Sequence, residues 1–215
     1  VGAAGIDEVA LLPRAIEAVF DVVDIPVCID SPNPEALAAA LDTCPGKPLV
    51  NSVNGEEAKL AAVLPLVAEH GAAVIGLLMN DDGIPATPEQ RLAVARGISE
   101  RAGALGIPPE DVVFDPMLLA VGAEPQAGQV ALDTIRMLRA EMDANITAGA
   151  SNVSFGMPDR HLLNQTFLAM AIAEGLNCPI GHPAHLRNTV LGADALLGRD
   201  EYCMRYINAC RARKS

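Results

Sequence analysis

Six short apolar runs recur along the chain, each closing on a polar residue and each followed by a stretch with helical periodicity. The runs are Val27–Ile29 before Asp30, Leu49–Val50 before Asn51, and Val74–Met79 before Asn80. After them come Val112–Phe114 before Asp115, Ile146–Gly149 before Ser151 and Asn152, and Pro179–Ile180 before Gly181 and His182. Alternation of this kind dictates βα units, and strands that are apolar nearly throughout need cover on their outer face, as a parallel sheet has. The intervening stretches carry their own punctuation. Asn33-Pro34 and Thr87-Pro88 place a capping side chain ahead of a first-position proline, and Gln90 is spaced to close a capping box on Thr87. Gly71, Gly106 and Gly175 sit where a helix ends in a left-handed residue. Pro65 is expected to kink or split a helix over 56–70.

Two architectures satisfy such a pattern. An open doubly wound sheet concentrates its polar residues at one switch point, whereas a (β/α)₈ barrel spreads them over the C-terminal rim. Here nearly every strand ends in a polar residue, and neither the G-x-G-x-x-G nor the Walker pattern is present. The expectation is a barrel in one domain, residues 1–215, because no linker-like segment interrupts the chain.

Charge and hydropathy exclude several functions. A formal net charge of -12 opposes nucleic-acid binding, and the longest apolar runs, Ala72–Met79 and Phe167–Ala173, are too short to cross a bilayer. No signal peptide is visible in Val1–Ala10. Five scattered cysteines without a C-x-x-C pair suit reduced thiols and a cytoplasmic location.

In a barrel, Asp30, Asn51, Asn80, Asp115 and Asn152 converge on one mouth. No serine or cysteine is matched to a histidine as nucleophile and base. A rim of amides and carboxylates suits a heterocycle with adjacent donors and acceptors, such as a 2-amino-4-oxo pyrimidine edge, whose two N–H groups offset the desolvation of a carboxylate. Taken singly, each Asp or Asn is equally a helix cap or loop residue. Five at successive strand ends favour a site. Cys178, His182 and His185 lie close in sequence but match no standard zinc spacing, so no resident metal is expected. His70 and His161 read as helix-surface residues, and Met79, Met117, Met157 and Met170 as core or pocket filling.

The segments Cys28-Ile29-Asp30-Ser31, Val50-Asn51-Ser52-Val53-Asn54, Phe114-Asp115-Pro116 and Gly149-Ala150-Ser151-Asn152-Val153-Ser154-Phe155-Gly156 resemble the pterin-binding methyltransferases. That family includes methyltetrahydrofolate:corrinoid iron–sulfur protein methyltransferase and the folate domain of cobalamin-dependent methionine synthase. The resemblance spans essentially the whole chain and is most specific from Ala150 to Pro158, continued by Arg160, Asn164 and Phe167–Gly175.

The resemblance implies transfer of the N5-methyl group of methyltetrahydrofolate to the cobalt of a corrinoid carried by a partner protein. Asp30, Asn51 and Asp115 match positions that hold the pterin ring, and Asn152 the asparagine that hydrogen-bonds N5. Arg160 matches a rim arginine, and Asn80 and Ser151 loop-end positions near the ring. It implies a homodimer. It also sets Val1-Gly2 just after the second family strand, so that the first strand, its helix and the second strand are not in this sequence.

Dihydropteroate synthase (DHPS) shares the fold and is the nearest alternative. Its glycine-rich G-F-x-K loop has no counterpart, since Asp115-Pro116 runs into Met117-Leu118-Leu119, and lysine occurs only at 47, 59 and 214. A related subgroup that demethylates quaternary amines lacks the N5-contacting asparagine, which Asn152 supplies here. A folate-binding barrel without turnover is the non-enzymatic alternative.

Overall fold

A computed structural model describes residues 5–213. Val1-Gly2, matched above to the end of a family strand, and Lys214 lie outside the described residues. The chain divides into two compact units, residues 1–115 and 116–215.

The first unit runs α1 (Glu8–Phe20), β1 (Cys28–Asp30), α2 (Pro34–Thr43), β2 (Leu49–Asn54), α3 (Glu57–Glu69), β3 (Ala73–Leu77), α4 (Pro88–Ala104) and β4 (Val112–Asp115). Its four strands pair in parallel and in chain order, with Ile29 beside Val50, Val50 beside Val74 and Val74 beside Val112. The apolar runs of the sequence are therefore the strands. Ile29, Val50, Val74, Ile75 and Phe114 are buried, as are Leu37 and Leu41 of α2, Leu64 and Val67 of α3, and Leu92 and Ile98 of α4. Each large apolar side chain so buried contributes ~1.5–3 kcal/mol relative to exposure. Gly76 sets the distance of closest approach, since a Cβ there would stand 3.3 Å from both Ile98 Cγ2 and Phe114 Cδ1.

The capping signals act as the sequence requires. Asn33 Oδ1 accepts from Glu35 N at 2.9 Å, and Thr87 and Gln90 form the reciprocal capping box. Gly71, Gly106 and Gly175 all have positive φ at helix ends. Pro65 does not split its helix: α3 runs unbroken through it. The lost hydrogen bond frees the Ala61 carbonyl, and since both Ala61 and Pro65 are exposed, water can satisfy it.

The second unit contains α5 (Ala127–Met142), β5 (Asn145–Gly149), α6 (Arg160–Glu174), β6 (Cys178–Ile180), α7 (Pro183–Leu196) and α8 (Met204–Ala212). β5 and β6 pair in parallel, Thr147 beside Cys178. Ile135, Leu138, Ile146, Leu168 and Leu176 are its fully buried large residues. Arg136 makes two 2.8 Å bonds to Glu174, clamping α5 to α6. Met170 departs from expectation, being 49% exposed on α6 rather than filling a core or pocket. Across both units all six expected strands form, with helices between them, which makes the chain an α/β protein with parallel strands.

Candidate functional site

In the first unit, Asp30 ends β1 and Asn51 lies beside it in register on β2. Both line a cleft of about 220 Å³ with Ser31, Asn54 and Lys59. The strand changes course here: the Asn51–Ser52 peptide is cis, and the β2–β3 register shifts between Asn51 and Val53. The cleft wall is tied by local bonds. Ser31 Oγ donates to Glu8 Oε2 at 2.6 Å and accepts from Asn33 N at 3.2 Å. Asn54 exchanges 3.0 Å bonds with the side chain and backbone of Glu56, and Lys59 Nζ donates to Pro32 O at 3.3 Å. Among the described residues, neither the Asp30 carboxylate nor the Asn51 amide spends a hydrogen bond on the protein. Their bonding capacity faces the cleft.

Asn80 differs. Its Oδ1 accepts from Asp82 N at 3.1 Å, its backbone pairs with Gly83, and it lines a separate cavity of about 680 Å³ with Gly55, Gln90 and Arg101. Asn80 does not line the Asp30–Asn51 cleft. Asp115 is the last residue of β4, opposite Leu77, half-buried, with its carbonyl accepting from Leu78 N at 3.1 Å.

Sequence reasoning missed Arg91. This arginine of α4 is 3% exposed, its Nε donates to Pro85 O at 2.9 Å, and burial lowers its pKa while the Asp115 charge opposes that shift. A signal was available: 91, 95, 98 and 102 form one buried helical stripe on which Arg91 is the only charge.

In the second unit the resemblance segment Ala150–Gly156 forms a tight turn after β5. Asn152 opens a 3-10 turn over Asn152–Ser154. Gly149 makes room for it, since a Cβ at 149 would lie 3.1 Å from Asn152 Nδ2. The turn is held by Ser154, fully buried, whose Oγ donates to Asn164 Oδ1 at 2.6 Å and accepts from Arg160 Nε at 3.0 Å. Arg160 Nη2 also donates to Ser151 O at 2.9 Å, and the guanidinium lies 5.9 Å from the Phe155 ring centroid. Arg160 therefore braces the turn. Asn152 is exposed, and among the described residues its side-chain amide makes no hydrogen bond. Ser154 and Asn164 support the turn; the resemblance includes both in its motif, and sequence reading gave neither a role of its own.

Ser151 lines a cavity of about 160 Å³ together with Asn164, Gln165, His161, His182 and His185. His161 is thus a cavity residue, not merely a helix-surface one; its ring meets His185 edge-on at 5.5 Å, and His182 lies 4.9 Å from His185. Cys178 does not join them in this cavity. Among the described residues no group of three or more His, Cys, Asp or Glu could hold a metal ion.

Comparison with known proteins fits this arrangement. The family model for pterin binding enzymes matches residues 4–182, a span that takes in every residue discussed up to His182. The chain is 32% identical to the methylcorrinoid:tetrahydrofolate methyltransferase of Eubacterium limosum, over 96% of this chain and 78% of that protein. It is 30% identical to the methionine synthase of Mycobacterium tuberculosis, over 75% of this chain but only 15% of that much longer protein. Among solved structures, a Yersinia pestis DHPS determined with a pterine-sulfa conjugate superposes with a TM-score of 0.72 at 15% identity, covering 91% of this chain and 79% of the other. That likeness establishes a shared fold. The chain belongs to the family of pterin binding enzymes.

Proposed function

We propose that this protein is a methyltransferase that moves the N5-methyl group between methyltetrahydrofolate and the cobalt of a corrinoid carried by a partner protein. The observation that carries the reading is Asn152: exposed at a strand end, braced through Ser154 and Arg160, with its amide left unspent. The relative named for methylcorrinoid and tetrahydrofolate, similar over nearly the whole chain, supports it.

The chemistry follows from the leaving group. A methyl on a tertiary amine leaves only if N5 gains a proton or a strong hydrogen bond as the C–N bond breaks. An amide cannot act as the acid, so Asn152 stabilises positive charge at N5, an interaction stronger in the transition state than in the bound substrate. Cobalt(I) of the partner attacks the methyl carbon in line. Asp30, Asn51 and Asp115 accept the N–H groups of the pterin, Ser151 and Arg160 border the folate, and Asn80 shapes a neighbouring loop.

On this reading residues 1–215 act as one pterin-binding domain, supported by a family match that runs across both compact units. The six strands are six of the eight of a (β/α)₈ barrel, for which the shared fold speaks. The protein works in one-carbon metabolism as a cytoplasmic homodimer with no metal of its own, as the family resemblance implies. Mixing the protein with methyltetrahydrofolate and free cobalt(I) corrinoid tests the reading: methyl transfer is expected, and folate binding without transfer would leave a binding protein or a DHPS-like enzyme instead.

A further inference from the structure

Three of the four histidines of this chain, His161 on α6, His182 in the loop after β6 and His185 on α7, border the same small cavity. Neighbouring rings stand 4.9 and 5.5 Å apart. Among the described residues lining the cavity there is no aspartate or glutamate; the other polar linings are Ser151, Asn164 and Gln165. The charged and titratable groups of the surrounding elements do not supply a carboxylate to it. Arg160 is bound to Ser151 O and Ser154 Oγ, Asp194 to Arg205, and desolvation pushes the Cys178 thiol up; Arg187 and Asp159 are exposed and do not line the cavity, and the three histidines that do are exposed as well. The cavity offers imidazole, hydroxyl and amide N–H and O–H donors and no carboxylate to take them up, and among the described residues the metal alternative lacks a ligand set.

We infer that this histidine cavity binds the carboxylate end of the folate tail, a subsite that rests on the folate reading above. Ser151 lines the cavity, and the next residue, Asn152, is the one assigned to N5. The p-aminobenzoylglutamate tail leaves the pterin at C6, the atom bonded to N5, so a tail running past Ser151 enters between the imidazoles. A volume of about 160 Å³ takes a carboxylate-bearing end and not the whole tail. The glutamate carboxylate then receives imidazole N–H bonds.

The test is calorimetry on the whole protein with two probes: methyltetrahydrofolate, and 5,6-dimethyltetrahydropterin, which lacks the tail. In a His182→Asn/His185→Asn double variant, affinity for methyltetrahydrofolate should fall about tenfold, the size expected for losing a charge-assisted bond. The tailless pterin should bind as before. Equal loss of both ligands, or no loss of either, overturns the subsite. Loss of inorganic phosphate binding in the variant with unchanged folate affinity overturns it in favour of a free-anion site. If the wild type binds neither probe, the folate reading fails with it; if it binds both equally well, only the subsite fails.

Discussion

Replacing Ser154 by alanine would remove the buried side chain that ties the Asn152 turn to Asn164 and Arg160. Three contacts converge on its Oγ: a 2.6 Å bond to Asn164 Oδ1, a 3.0 Å bond from Arg160 Nε, and a 3.4 Å contact to Ser151 O. The last is at the edge of hydrogen-bond range and is neglected. A neutral hydrogen bond contributes ~0.5–1.5 kcal/mol net and one to a charged group ~1.5–3. Arg160 is exposed and can rehydrate when released, which moves its share toward the neutral range. Deleting one oxygen opens little volume, so the expected loss is ~1–3 kcal/mol. Urea unfolding should show this as a lower midpoint at unchanged slope. The functional effect should exceed the stability effect. In protein shown by circular dichroism to be folded, single-turnover methyl transfer should drop at least about tenfold because Asn152 loses its brace, the order at which misplacing a catalytic group shows. Methyltetrahydrofolate affinity should change little, since Asp30 and Asn51 belong to other strands. A variant destabilised as expected yet transferring methyl at the wild-type rate would refute the bracing role of Ser154.

Asp115→Ala should weaken methyltetrahydrofolate binding about tenfold or more in calorimetry, the cost of losing hydrogen bonds to a charged acceptor; unchanged affinity would remove Asp115 from the site. Gly149→Ala puts a Cβ 3.1 Å from Asn152 Nδ2, so the amide must shift by a few tenths of an ångström; stopped-flow should show a slower transfer step at near-normal folate affinity. His70 has its pKa raised above 6.5 by its hydrogen bond to Asp42 and then by that to Leu66 O. The stability this contributes is fully present below the unfolded value and is lost as pH rises through the raised folded value. Asp42 is 77% exposed, so Asp42→Asn should cost under ~1 kcal/mol at about pH 6 and nothing at about pH 9 in denaturant titrations.

The strands were legible because their apolar runs are short, β-rich and bounded, and the caps at Asn33 and Thr87 because side-chain chemistry decides them locally. Of the two outcomes expected at Pro65, splitting does not occur, because the freed carbonyl is exposed and can meet water, which burial decides and sequence does not state. Asp30 and Asn51 come together because adjacent parallel strands in register carry them side by side. Asn80 looked equivalent at its strand end, yet its backbone turns back to Gly83, its Oδ1 accepts from Asp82 N, and it lines a different cavity from Asp30 and Asn51. Ser154 carried no signal of its own: a serine reads as loop until its partners, at 160 and 164, are known to fold back upon it. The gathering of His161 with His182 and His185 likewise depends on α6 and α7 packing side by side, a tertiary fact.

In the proposed mechanism Asn152 assists departure of the methyl group and does more than hold folate. Stopped-flow decay of the cobalt(I) absorbance under saturating methyltetrahydrofolate, comparing wild type with Asn152→Ala at equal folded fraction, measures that step directly. Assistance at a leaving group is worth ~10²–10⁴-fold, and a residue that stabilises the charge without supplying the proton belongs at the lower end, so a fall of roughly a hundredfold is expected. Folate affinity should suffer far less. A wild-type rate constant in the variant would contradict the assignment of Asn152 to N5, and with it the proposed route of methyl transfer.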